Sequence, residues 1–90
     1  MMYYVYVLYS KVHDRFYIGM TNDLDRRITE HRSGTTYTTS RMKDFQLVYY
    51  EACRVKEDAT ARESQLKTGF GRGYLRKRVA HDIVKRSVGQ

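Results

Sequence analysis

The sequence predicts an α+β domain, three strands covered by helices in the order β-β-α-β-α-α. Three observations carry that expectation. The stretches YYVYVLYS (3–10) and FQLVYYEACR (45–54) are rich in β-branched and aromatic residues, as strands are. Residues 24–31 and 59–70 place their inward positions at the i, i+3, i+4, i+7 type of spacing that marks one face of a helix. Glycines and a Thr-Asn-Asp run stand at the boundaries, where caps and turns belong.

In the first strand, alternation puts Tyr3, Val5, Val7 and Tyr9 on one face and Tyr4, Tyr6 and Leu8 on the other. Lys11 to Arg15 reads as a turn around His13-Asp14, and Phe16 to Met20 as a second strand, making an antiparallel hairpin. Thr21, Asn22 and Asp23 are N-cap types, and Asp23 or Asp25 suits the positive end of a helix dipole. That helix is expected to run to about Ser33, with Gly34 as its stop. Thr35 to Lys43 is a polar loop, and Phe45 to Arg54 the third strand. Lys56 to Thr68 reads as a helix stopped by Gly69, and Phe70-Gly71-Arg72-Gly73 as a glycine-rich bend. Tyr74 to about Ser87 is expected as one last basic helix with Leu75, Val79 and Ile83 on one side. Proline is absent, so helix ends rest on caps and glycine.

At 90 residues, 41% hydrophobic and 30% charged, residues 1–90 read as one small globular domain. Cys53 is the only cysteine, which excludes an intrachain disulfide and fits a reducing compartment. The N-terminus has no basic lead, and no apolar run approaches the roughly 20 residues that span a bilayer. The expectation is a cytoplasmic protein without a membrane partner. Net charge is +7, and from Lys67 onward seven Lys or Arg face one acid, Asp82. That imbalance points to a polyanion, nucleic acid being the commonest, with Lys67, Arg72, Arg76, Lys77 and Arg78 as candidate backbone contacts.

The inward stripes carry chemistry where apolar residues are expected. Leu24, Arg27, Ile28 and His31 share one stripe; Ala59, Glu63, Leu66 and Phe70 share another. Each polar member has a structural alternative: Glu63 an i, i+4 pair with Lys67, Arg27 a stem along the core edge, His31 the negative end of its helix. Together they point to a cleft. Tyr6 and Tyr17 lie on the two strands of the hairpin, within reach of one another, and Gly19 leaves space for a ligand backbone. One Cys and three scattered His lack zinc-ligand spacing, and the Gly69–Gly73 run follows a helix without the Gly-Lys-Ser/Thr ending of a phosphate loop.

Tyr4-Val5-Tyr6 within YYVYVLYS, Tyr17-Ile18-Gly19 within FYIGMTNDLDRRITEH, and the stretch LVYYEACRVKEDATARESQLKTGFGRGYL resemble, in order and over nearly the whole chain, a small single-domain GIY-YIG nuclease. The match is to the bacterial type akin to the N-terminal domain of the excision-repair endonuclease. The resemblance implies a three-stranded antiparallel sheet flanked by helices and a divalent-metal phosphodiesterase acting on DNA, in repair or recombination. It implies Tyr6, Tyr17, Arg27 and His31 as catalytic residues and Glu63 as the one carboxylate on a single Mg²⁺ or Mn²⁺, with Lys67 at a frequent but less essential position. On that reading Tyr6 is the general base, His31 helps accept its proton, and Arg27 favours the phenolate and clamps the phosphate bidentately. Three positions depart from the pattern: Tyr4 replaces the first signature glycine, Met20 stands where repair enzymes carry lysine, and Asp44 where relatives often have proline. The alternative class is a nucleic-acid-binding module with little or no turnover, a partner protein supplying specificity. A third is an interaction protein whose Glu63 pairs with Arg27 or Lys67. RNA remains open beside DNA, and so does the oligomeric state.

Overall fold

The structure, a computed structural model, describes residues 1–33 and 44–88. Gly34 and the expected loop 35–43 lie outside the described residues. The elements are β1 (Tyr3–Ser10), β2 (Arg15–Thr21), α1 (Leu24–Arg32), β3 (Phe45–Cys53), α2 (Lys56–Leu66), α3 (Gly69–Arg78) and α4 (Ala80–Val88). The strands form one antiparallel sheet in the order β2-β1-β3, so β1 is central and β2 and β3 are its edges.

Helices cover both faces. Val5, Val7 and Ile18 pack with Ala59 of α2 and Leu75 of α3, all buried, together with Leu66. Tyr6 and Leu8 pack on the opposite side with Ile28 of α1. The alternation expected of β1 is therefore what separates the two cores. Burying each such aliphatic side chain contributes about 1.5–3 kcal/mol.

Local chemistry sets where the helices begin. The Asp23 carboxylate accepts from the Arg26 amide (3.1 Å), and the Thr21 hydroxyl accepts from the Asp23 amide (3.1 Å), so α1 leaves β2 at a fixed angle. Asp44 ties the first hairpin to β3: it accepts from the Ser10 hydroxyl at 2.6 Å and the Val12 amide at 2.8 Å. That is the role at this position of the residue that departs from proline.

Four expectations need correction. The Gly69–Gly73 segment is not a bend but the first turn of α3, because Thr68 caps it, its hydroxyl accepting from the Gly71 amide at 3.2 Å. The last basic segment is two helices, interrupted at Val79 (φ −112°, ψ 24°), whose buried side chain holds the break against the core. Phe70 is 66% exposed rather than inward, because α2 ends at Leu66 and its periodicity does not continue into α3. Gly19 sits directly across from Tyr6, and a Cβ there would overlap the Tyr6 ring and hydroxyl. The space at Gly19 is filled by Tyr6 itself, not left for a ligand. Gly71 has a comparable need, since a Cβ there would strike the Leu66 backbone.

Candidate active site

Tyr6, Tyr17, Arg27 and His31 converge on the α1 side of the sheet. Tyr6 points from the central strand, and Tyr17, opposite Leu8 on β2, is its diagonal neighbour with ring centroids 6.3 Å apart. One helical turn separates Arg27 from His31, so both reach the same strand residue. The Arg27 Nε–H donates to the Tyr6 hydroxyl oxygen at 3.2 Å. The Tyr6 hydroxyl lies 2.9 Å from His31 Nε2. His31 is 1% exposed, enclosed edge-on by Tyr6, Tyr17 and Phe45.

The electrostatics follow from burial. Burial lowers the His31 pKa, the Arg27 cation lowers it further, and Glu30 opposes only in part, so the imidazole is neutral near pH 7. Burial also pushes the Tyr6 phenol above its ordinary value; the Arg27 hydrogen bond opposes this without overcoming it. Arg27 favours the phenolate, as expected, but burial outweighs it, so the phenol keeps its proton in the free protein. With the oxygen of Tyr6 accepting from Arg27, its proton can be donated to neutral His31 when the imidazole is the Nδ1–H tautomer.

Arg27 has a second partner that sequence reasoning missed. Its Nη1 donates to Glu30 Oε1 at 2.9 Å. The i, i+3 spacing was the available signal. Phe45 was also missed, because nothing local in the sequence places the start of β3 against a helix.

Glu63 comes from a different helix. It lies on α2, which packs on the other face of the sheet, and its carboxylate pairs with Lys67 Nζ at 3.3 Å, the i, i+4 contact the spacing allowed. It is 22% exposed, so it does not stand in open solvent. Edge strand β2 joins the two sides: Tyr17 faces α1, while Met20 faces α2, where the Thr60 hydroxyl meets its sulfur at 3.6 Å. Met20 therefore fills the position of the missing lysine against the helix that carries Glu63. Among the described residues no group of three or more His, Cys, Asp and Glu could hold a metal ion.

The basic residues are not equivalent. Arg76 is committed to Asp14 (3.1 and 3.2 Å) and lies over the Phe16 ring at 5.4 Å, tying α3 to the hairpin turn. Arg78 lies over Tyr49 at 5.9 Å and, with Lys77 and His81, borders a groove between β3 and the α3–α4 junction. Arg72 and Lys77 are exposed.

The three-stranded antiparallel sheet, with the Tyr-Arg-His chain on one face and the helix of Glu63 on the other, is that of a nuclease-type domain. The family profile described as the GIY-YIG catalytic domain matches residues 2–77, and the chain belongs to that family. It is similar to UPF0213 proteins. That of Desulfotalea psychrophila is 46% identical over 54 residues, covering 57% of this chain but 48% of the relative. That of Clostridium perfringens is 40% identical over 68 residues, covering 73% of this chain and 71% of the relative. The solution NMR structure of the UPF0213 protein BH0048 from Bacillus halodurans is 38% identical, covers 83% of this chain and 82% of its own, and superimposes with a TM-score of 0.53. No helix among the described residues is long and apolar enough to cross a membrane.

Proposed function

We propose that this protein is a divalent-metal-dependent endonuclease that hydrolyses phosphodiester bonds in DNA. The observation that carries the reading is the Arg27–Tyr6–His31 chain, which brings the Tyr6 hydroxyl to a buried neutral imidazole. Tyr6 takes a proton from the attacking water as it passes its own to His31 Nε2, so no free phenolate has to exist beforehand. The Arg27 cation steadies the oxygen while this happens. Tyr17, beside both, orients water or phosphate through its hydroxyl.

The donor set suits a hard cation. Mg²⁺ and Mn²⁺ are commonly held by one or two carboxylates, with waters and substrate phosphate oxygens completing the shell, and Glu63 is one such carboxylate. Bound there, the ion supplies charge stabilisation at the phosphate and the leaving oxygen. Glu63 would hold the ion in place of its Lys67 partner, and Lys67 would then be free to meet a phosphate. The net charge of +7 favours a polyanionic substrate, with Arg72, Lys77 and Arg78 as the exposed backbone contacts and Arg76 serving the fold.

In the test, supercoiled plasmid is incubated with purified protein and Mn²⁺. The wild type is expected to nick it and Glu63→Ala to leave it intact; equal nicking by both removes the carboxylate from the mechanism. A second reading, a binding module without turnover, is favoured by two observations: Arg27 already has two partners, and Tyr6 keeps its proton. Salt-dependent filter binding without any nicking selects that reading.

A further inference from the structure

A phosphate that approaches Arg27 meets a guanidinium that already has two partners. Its Nε is on Tyr6 at 3.2 Å and its Nη1 on Glu30 at 2.9 Å. The Nε/Nη2 edge is engaged at Nε by Tyr6, which is buried in the central strand and cannot leave. A phosphate gripped by two nitrogens therefore uses the Nη1/Nη2 edge, where Glu30 competes for Nη1. Glu30 is on the helix surface, its side chain 39% exposed, and its other oxygen, Oε2, already lies 4.0 Å from Arg26 Nε. Arg26 in turn stands 4.0 Å from Asp23.

We propose that Glu30 is a positioning residue that holds the phosphate edge of Arg27 in the free protein and moves toward Arg26 when a phosphodiester takes its place. The proposal rests on the reading that Arg27 receives the phosphate. Binding at this site is then an exchange of one anion for another. The carboxylate keeps the guanidinium oriented between Tyr6 and solvent, and it lowers affinity for any phosphate too weakly placed to displace it. Glu30 thereby sets selectivity against nonspecific backbone contact at the catalytic face, while the exposed cations of α3 bind without such a filter. Because the Arg26 contact is already near, the move takes a rotamer change and no backbone shift.

The test uses the full chain in EDTA with a short fluorescent DNA duplex, followed by anisotropy. Glu30→Gln is expected to bind about two- to fivefold tighter than wild type, the scale of an exposed ion pair. Glu30→Ala is expected to do the same and covers the case in which the glutamine amide still accepts from Arg27. Asp25→Asn, which removes the same charge from an exposed site on α1, measures the general charge effect and is expected to give less. On an Arg27→Ala background the Glu30 gain is expected to disappear. A gain that persists there, or that Asp25→Asn equals, overturns the proposal, as does a Glu30→Ala protein that binds no tighter. If Arg27→Ala alone binds as well as wild type, the underlying reading of Arg27 fails, and the proposal with it. Under a purely structural role, Glu30→Ala would lose both thermal stability and affinity, whereas the exchange predicts that affinity rises.

Discussion

Two clusters of like composition lie on opposite sides of the sheet and do different things. On the α2–α3 side, Arg62 grips Glu51 through Nε and Nη2, each at 2.9 Å, and lies 5.0 Å over the Tyr74 ring. Tyr49 donates to the same carboxylate at 2.7 Å and meets the Tyr74 hydroxyl at 3.2 Å. Arg62 holds the Glu51 carboxyl below its usual range, and burial pushes the Tyr49 phenol up, so the acid stays charged and the phenol neutral. The cation, the anion and both phenols answer one another there. On the α1 side the guanidinium donates to Glu30 through one nitrogen and to a phenol through another, and that phenol meets a neutral imidazole. The same residue types make a staple where acid and base saturate each other. They make a site where the cation keeps an exchangeable partner and the proton acceptor is an uncharged histidine.

The largest test of that contrast exchanges the phenols. Tyr6→Phe is expected to lower the nicking rate by about 10²- to 10⁴-fold, the usual worth of a positioned acid or base. Tyr49→Phe is expected to leave the rate nearly unchanged. Comparable losses in plasmid nicking would erase the distinction. Next in size is stability. Arg62→Met strands Glu51 in a half-buried position and is expected to cost about 1–3 kcal/mol, lowering the melting temperature by several degrees, with the nicking rate per folded molecule unchanged. A rate that falls with it would make the staple part of the site.

The smallest effect is in pH. His31 has a lowered pKa in the fold, so between its native value and the ordinary 6.5 the unfolded chain binds more protons than the native one. Stability is therefore full above pH 6.5 and declines as pH falls below it, by at most about 1.4 kcal/mol per pH unit. The carboxyls of Asp14, Asp44 and Glu51, ordinarily at 3.8 and 4.5, have lowered values and lose their contribution only below those. Urea unfolding between pH 6.5 and about 5.5, above the range where the carboxyls begin to take up protons, isolates the histidine. His31→Gln is expected to flatten that slope; an unchanged slope would mean His31 is not held neutral by burial.

Much of this was legible in the chain. Period-two alternation in YYVYVLYS put Tyr6 and Val5 on opposite faces, the Asp23 cap set the phase of α1, and that phase sent Arg27 and His31 inward as a pair. These are local facts, decided by strand and helix geometry within a few residues. Long-range packing decided the rest. The cross-strand register put Gly19 under the Tyr6 ring, and the docking of α3 brought Arg76 to Asp14, 62 residues away in the chain. The break at Val79 came from a side chain that the core requires. The inward spacing of Glu63 was legible on its helix, but only the packing of helices on both faces of the sheet showed that this helix covers the face opposite Arg27 and His31. Sequence periodicity states which way a side chain leaves its own element. Which element it meets depends on contacts summed over the whole chain.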